Sequence, residues 1–135
     1  MEENEKQKNE YKLYRVVGGF FSYYAKGEGE LIEIDRSVAR MYGFDTVDEL
    51  REYTGNSFKG MVHPDDWECV EREIREQISD SEWKMDCVEY RIIRKDGSIR
   101  YARDYGHLEG EKGNEVFKVL LLDTTEESNQ EKNEQ

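Results

Sequence analysis

The sequence is poor in the residues that mark secreted, metal-binding and membrane-spanning proteins. Its 135 residues include one proline, two cysteines and two histidines. The longest strongly apolar run, residues 119–122, is far shorter than the roughly 20 residues of a membrane-spanning helix, and the charged N terminus does not resemble a signal peptide. Cys69 and Cys87 are too few for a disulfide framework. We therefore expect a cytoplasmic protein whose two thiols are reduced and at least half-buried.

Positive charge is scarce as well. Lysine and arginine number 20 against 32 aspartates and glutamates, which gives a formal net charge of -12. A surface this acidic repels phosphate backbones and anionic lipid headgroups, so we expect neither a nucleic-acid nor a membrane partner. Aromatic residues, in contrast, make up 12% of a chain of common domain size. These features indicate one folded domain with a substantial core and a solvated surface.

The two ends of the chain differ from its middle in composition. Both are rich in charged and amide side chains and cannot bury enough apolar surface to fold alone. We expect residues 1–17 to form a flanking segment, 18–125 the domain, and 126–135 the start of a linker helix. The flanking segment ends in an amphipathic stretch with apolar residues at Tyr11, Leu13, Tyr14, Val16 and Val17.

The first half of the domain predicts two strands followed by helices. Residues 18–25 and 31–34 flank a glycine-containing turn, which is typical of a β-hairpin. Asp35 is placed to cap a short helix that ends at Gly43, and Thr46 with Glu49 forms a capping box for a second helix. A connector over 55–62 leads to a long amphipathic helix, which we expect to begin at Pro64.

The second half changes to a period of two, which predicts β-strands. Residues 85–95 and 98–108 flank the dipeptide Asp96-Gly97, a strong hairpin signal, and a further turn leads to a strand over 115–125. Two strands, several helices and three strands in succession contain no alternating βαβ units. The predicted class is α+β, with a five-stranded antiparallel sheet and helices packed over one face.

Four segments in this order resemble a PAS domain of the type that carries a trailing PAC motif. They are DRSVARMYGFDTVDEL at 35–50, VHPDD at 62–66, EYRIIRKDGS at 89–98 and DTT at 123–125. Each motif alone is weak, whereas all four at compatible spacing are specific. Tyr101 replaces the usual tryptophan and Thr124 the usual isoleucine, and neither change disrupts the strand pattern.

The resemblance implies a ligand pocket between the helices and the inner sheet face. The predicted pocket residues are Ile34, Val38, Met41, Tyr42, Leu50, Phe58, Trp67, Val70, Tyr90, Ile92, Ala102, Asp104, Val119 and Leu121. Asp104 is a carboxylate directed at an apolar interior. It is interpreted either as a ligand contact or as a hydrogen-bonded or ion-paired group near Arg100 or Arg91.

The opposite sheet face is also apolar, which predicts that something covers it. We expect a homodimer built on Ile99, Tyr101, Leu120 and Leu122, with the amphipathic stretch before residue 18 as an additional or alternative cover. The resemblance also implies a signal relay through Asp123 and Thr125 to an output domain. Because the chain ends ten residues after Thr125, we expect it to be a fragment of a longer sensor, similar to those of bacterial diguanylate cyclases and histidine kinases.

No cofactor, metal or catalytic site is expected. The long helix has no histidine for haem, and Asn56-Ser57-Phe58 stands where flavin photosensors need Asn-Cys-Arg. No two of the four candidate metal ligands, which are the two cysteines, His63 and His107, have a spacing that is typical of a metal site. His63 is interpreted as a helix cap and His107 as a surface residue. Two functions remain: a sensor that binds a small ligand or dimerises to regulate an output domain, and a dimerisation module with a filled core. An enzyme is a distant third.

Overall fold

The computed structural model describes residues 17–127. Its five strands are β1 (Gly18–Tyr24), β2 (Leu31–Ile34), β3 (Met85–Ile93), β4 (Ile99–Glu109) and β5 (Val116–Asp123). They form one antiparallel sheet in the order β2-β1-β5-β4-β3. The predicted class, strand number and strand direction are confirmed. β5, the last strand in sequence, lies at the centre of the sheet.

Four helices connect β2 to β3. They are α1 (Arg36–Met41), α2 (Val47–Thr54), α3 (Phe58–Met61) and α4 (Trp67–Asp80). The predicted cap at Thr46 is confirmed, because Thr46 Oγ1 accepts a hydrogen bond from the Glu49 backbone; the same hydroxyl donates to the Glu49 carboxylate. Gly43 has a φ of 90°, a left-handed conformation that favours glycine where a helix ends. The connector contains the additional short helix α3, which Ser57 caps by accepting the Gly60 N–H.

One predicted helix start is wrong, and one predicted N-cap residue occupies its position without a side-chain cap. α4 begins at Trp67 rather than at Pro64, which lies in a preceding turn. The Asp66 side chain does not cap the helix, because it accepts hydrogen bonds from the backbone and guanidinium of Arg91 on β3. Asp35 precedes α1, yet its carboxylate accepts the Phe20 N–H of β1. Both aspartates join a helix start to a strand.

The inner face of the sheet and the helices enclose the core. Inward residues alternate along each strand as predicted, with Val88 and Ile92 on β3 and Val119 and Leu121 on β5 all almost fully buried. α4 packs against β3, one of the two edge strands of the described sheet. The Gln77 side chain of α4 donates to the Cys87 carbonyl and accepts from the Cys87 N–H, so these two backbone groups at the edge of the sheet are hydrogen-bonded.

Some predictions fall at the limits of the described chain or are corrected by it. Tyr11, Leu13, Tyr14 and Val16 lie outside the described residues. Both cysteines are exposed rather than buried or half-buried. Cys69 faces away from the core on α4, and Cys87 has outward parity on β3.

Candidate functional site

The predicted pocket residues lie together in the core. Ile34 and Trp67 are half-buried, and the other twelve are buried. Val38, Leu50, Ile92, Ala102 and Leu121 have no exposed surface. Much of the predicted pocket is therefore packed side-chain volume.

A cavity of about 340 Å³ lies at one end of this core, between α4 and the sheet. Phe58 and Trp67 are the predicted pocket residues that line it. Its other apolar and aromatic lining residues were not among the predicted set: Tyr23, Tyr24, Ala25, Ile74, Ile78, Leu108 and Phe117. The turn at 26–29 and the side chains of Glu71 and Arg75 lie at the same cavity. The inward parity of Tyr23 and Phe117 and the helical spacing of Ile74 and Ile78 were the sequence signals for this site.

Stacked aromatic rings form one wall of this cavity. The ring centroids of Tyr23 and Phe58 are 4.4 Å apart with nearly parallel planes, and those of Tyr23 and Phe117 are 5.1 Å apart. Trp67 meets Phe58 edge-on at 5.5 Å. β1, β5, α3 and α4 each contribute one ring. A flat apolar or cationic group is the chemistry that such a wall accommodates.

A second cavity, of about 390 Å³, lies between α4 and the middle of the β3–β4 hairpin. Val70, Tyr90 and Ala102 of the predicted set line it, together with Asp66 and Arg91. The Arg91 guanidinium lies 2.6 Å from Asp66, and this contact lowers the pKa of the Asp66 carboxyl. The cavity is thus bordered by an ion pair whose charges neutralise each other.

Asp104 is buried within the inner sheet face. Its Oδ2 accepts a hydrogen bond of 2.7 Å from the hydroxyl of Tyr90 on the neighbouring strand. The pKa of Asp104 is raised to about 8, chiefly by burial; the Tyr90 hydrogen bond opposes this rise, and the nearby Asp86 adds to it. The hydrogen-bonded interpretation therefore describes its contact. The suggested ion pair is wrong, because Arg91 pairs with Asp66 and Arg100 with Asp123.

Asp86 is a second inward carboxylate, which the sequence analysis missed. The residue is 5% exposed, and neither carboxylate oxygen has a hydrogen-bond partner. Burial raises its pKa to about 6. Its parity with Val88 and Tyr90 on the same strand was the signal that could have identified it.

Buried tyrosines surround the two acids. Burial, followed by the charge of Asp104, raises the pKa values of Tyr23, Tyr42 and Tyr90 well above the usual range. The Tyr42 hydroxyl donates to the backbone carbonyl of Met61, a 2.7 Å hydrogen bond between α1 and the end of α3. All three hydroxyls therefore remain protonated at neutral pH, and those of Tyr42 and Tyr90 act as donors.

The predicted relay residues meet at the C-terminal end of β5. Asp123 accepts a hydrogen bond from Arg100 Nε at 3.0 Å and another from the Thr125 backbone at 2.9 Å. The Thr125 hydroxyl oxygen accepts the Tyr101 N–H, so it continues the pairing with β4 beyond the end of β5. A helical turn begins at Thr125 and continues to Glu127, the last residue that the structure describes. Asp123 thus joins the sheet to the start of that turn.

The outer sheet face carries a row of apolar side chains. Phe20, Leu120 and Tyr105 lie side by side on β1, β5 and β4. Phe20 is 61% exposed and was not among the predicted interface residues, although it shares the parity of outward β1 positions. Of the predicted set, Ile99 is exposed, and Tyr101, Leu120 and Leu122 are half-buried.

Neither histidine takes part in a metal cluster within residues 17–127, where no three potential ligands meet. His63 accepts the Asp65 N–H at the turn before α4, and His107 lies 3.1 Å from Glu109 on the surface. Within the same part of the chain, no helix has the length and apolar character needed to cross a bilayer.

Comparison with known proteins identifies one family. The sequence profile described as PAS fold matches residues 31–120. A search of curated protein sequences finds no match.

Solved structures share the whole architecture at low sequence identity. A sensory box histidine kinase/response regulator from Burkholderia thailandensis superimposes with a TM-score of 0.63 and 15% identity, covering 93% of this chain and 91% of that one. The N-terminal domain of a diguanylate cyclase with a PAS/PAC sensor from Marinobacter aquaeolei superimposes with a TM-score of 0.56 and 16% identity, covering 81% of this chain and 96% of that one. A PAS domain from a two-component sensor histidine kinase superimposes with a TM-score of 0.59 and 13% identity, covering 91% of this chain and 99% of that one. At these identities the likeness concerns the fold.

Proposed function

Because the chain belongs to the PAS fold family, whose members are sensor modules of signal-transduction proteins, we propose that it is a cytoplasmic sensor domain that regulates a separate output domain. In this proposal a small ligand binds at the inner sheet face, the outer face forms a homodimer, and the C-terminal end of β5 transmits the response. The chain itself is regulatory rather than catalytic.

The path of β5 is the observation that carries this proposal. Phe117 near its start lines the 340 Å³ cavity, and Asp123 at its end bonds both Arg100 and the following helical turn. Leu120 lies between them on the outer face. A ligand, a dimer partner and an output domain would therefore act on one central strand.

The proposal includes neither haem nor flavin. Ser57 occupies the position at which a photoreactive cysteine would be needed, and its hydroxyl caps α3. α4 contains no histidine that could bind haem iron. We therefore expect the purified protein to be colourless.

Homodimerisation through the outer face has a direct test. Changing Tyr101 and Leu120 to glutamate places two charges where an interface would bury them, so we expect a dimer to become a folded monomer. Sedimentation velocity measures the association, and circular dichroism measures the fold. The matched control changes Ser79 and Asn114, which are exposed elsewhere, to glutamate and should remain dimeric. A wild-type protein that sediments as a monomer at high concentration contradicts the interface.

A dimerisation module with a filled core is the second candidate. The complete burial of Val38, Leu50, Ile92 and Leu121 favours it, because these side chains occupy much of the predicted pocket. The two candidates share the outer-face dimer. They differ in whether the cavity beside Tyr23 and Trp67 binds a ligand.

A further inference from the structure

Asp86 is the buried charged group that requires an explanation. Both of its carboxylate oxygens are inaccessible to solvent and have no hydrogen-bond partner. Burying a carboxylate in this way is costly unless it is protonated or meets a donor or a cation. A residue retained only for packing would be apolar at this position on the inner face of β3.

The carboxylate of Asp86 is directed over the neighbouring strand toward the centre of the sheet. Asp86 pairs with Gly106 of β4, and a Cβ atom added at Gly106 would lie 2.5 Å from Asp86 Oδ2. Glycine at position 106 thus leaves room for this carboxylate. On the same face of β4, Asp104 lies two residues before Gly106 and Leu108 lies two residues after it.

This placement puts Asp86 between a second acid and the aromatic cavity. Asp104 is on one side, and the charge of Asp86 helps to raise the pKa of its carboxyl. Leu108 is on the other side and lines the cavity of about 340 Å³. That volume lies at the lower end of the roughly 300–1,000 Å³ typical of small-molecule sites.

Basic side chains of the neighbouring strands are engaged elsewhere. Arg91 pairs with Asp66, Arg103 with Glu89, and Arg100 with Asp123 at the far end of β4. The lining of the aromatic cavity holds three acidic side chains and two basic ones: Glu28, Glu71, Glu115, Lys26 and Arg75. With Asp86 added, an anionic ligand would meet a net negative charge, and a neutral apolar ligand would leave Asp86 unsatisfied. A group that carries positive charge and several N–H donors complements the Asp86 carboxylate and can also donate to an oxygen of Asp104.

On this geometry we propose that Asp86 and the aromatic cavity together bind a small organic cation, specifically a protonated primary amine attached to one aromatic ring. The ring lies among Tyr23, Phe58, Trp67 and Phe117, and the ammonium reaches past Leu108 to Asp86. Asp104, held by Tyr90, is the second acid near the ammonium. The inference rests on the ligand-binding part of the proposed function and specifies the class of ligand.

Isothermal titration calorimetry of the 135-residue chain tests this inference with 2-phenylethylamine and its uncharged analogue 2-phenylethanol. We expect the amine to bind at least about ten-fold more tightly than the alcohol, because a hydrogen bond to a charged group contributes that much. Asp86→Asn should weaken amine binding by about ten-fold or more and leave alcohol binding unchanged. Asp80→Asn, the same change at the exposed end of α4, should alter neither.

Gly106→Ala provides a second variant that keeps every charge. Its added Cβ displaces the Asp86 carboxylate, so amine binding should weaken while alcohol binding persists. Thermal melting of each variant shows whether it is folded before its binding is compared with wild type.

Three results would overturn the inference: equal affinity for amine and alcohol, wild-type amine binding by Asp86→Asn, or no binding of the amine. If the alcohol alone binds, the cavity is still a ligand site and only the cation is wrong. If neither probe binds, the inference fails, and the dimer part of the proposed function is judged separately by sedimentation.

Discussion

The two faces of the sheet differ in the surroundings of their carboxyl groups. On the outer face, Glu89 pairs with Arg103 and Glu109 with Lys118, and these side chains also contact water. On the inner face, Asp86 has no partner and Asp104 has a tyrosine hydroxyl. A carboxyl group is therefore ion-paired at the surface on one face and buried with a raised pKa on the other.

The two faces also differ in how much an apolar side chain contributes to the free energy of unfolding, and this difference is the largest effect that we expect. Ile92 on β3 is fully buried, and Ile99 on β4 is 41% exposed, although both belong to one hairpin. Ile92→Ala should lower the free energy of unfolding by about 2–5 kcal/mol, because it creates a cavity in the core. Ile99→Ala should cost less than about 1 kcal/mol. Urea unfolding at low protein concentration makes the comparison, and equal losses would contradict it.

The buried acid Asp104 should make stability depend on pH. Its pKa is raised to about 8, so between about pH 4 and pH 8 the native state retains a proton that the unfolded state has released. The contribution of Asp104 to the free energy of unfolding is therefore most favourable below about pH 4 and becomes less favourable as the pH rises toward 8. Relative to wild type, Asp104→Asn should gain up to about 1.4 kcal/mol for each pH unit in that range.

Urea unfolding of wild type and Asp104→Asn at pH 5, 6 and 7 measures this gain. Asp86→Asn should show a similar gain confined to about pH 4–6. The two acids face one another's charge and three tyrosines: Tyr23 of β1, Tyr42 just after α1, and Tyr90 of β3. A constant difference between wild type and Asp104→Asn across the range would show that Asp104 is ionised in the folded protein.

Asp123 should affect coupling more than stability. Its carboxylate is 8% exposed and accepts from Arg100 and from the Thr125 backbone. Asp123→Ala should lower the unfolding free energy by about 1–3 kcal/mol, the value of one or two such hydrogen bonds, while flattening the regulation of an attached output domain. Thermal melting and output assays with and without stimulus measure both effects. Normal regulation in this variant would reduce Asp123 to a strand cap.

Periodicity made the fold predictable from the sequence. Alternation along β3, β4 and β5 assigned the inward side chains correctly, and Asp96-Gly97 located the hairpin between Ile93 and Ile99. These signals are local, because each side chain's face follows from its own strand. The inward position of Asp104 followed from the same rule.

Contacts between distant segments were not predictable in this way. Asp66 bonds Arg91 across 25 positions instead of capping α4, and Asp35 bonds Phe20 across 15. The open cavity also differs from the predicted pocket, since its location depends on how far the side chains of α4 and the sheet fill the space between them. Asp86 had the right parity but was overlooked, because a carboxylate is rarely placed in a core without a partner.

Native mass spectrometry of the purified chain measures ligand binding and self-association together, so it tests the proposed inner-face site and outer-face dimer in one experiment. The account predicts the mass of a dimer with a small molecule bound to each chain, and loss of the dimer when Tyr101 and Leu120 are both changed to glutamate. A bare monomer at micromolar concentration would contradict both the proposed ligand site on the inner face and the proposed interface on the outer face.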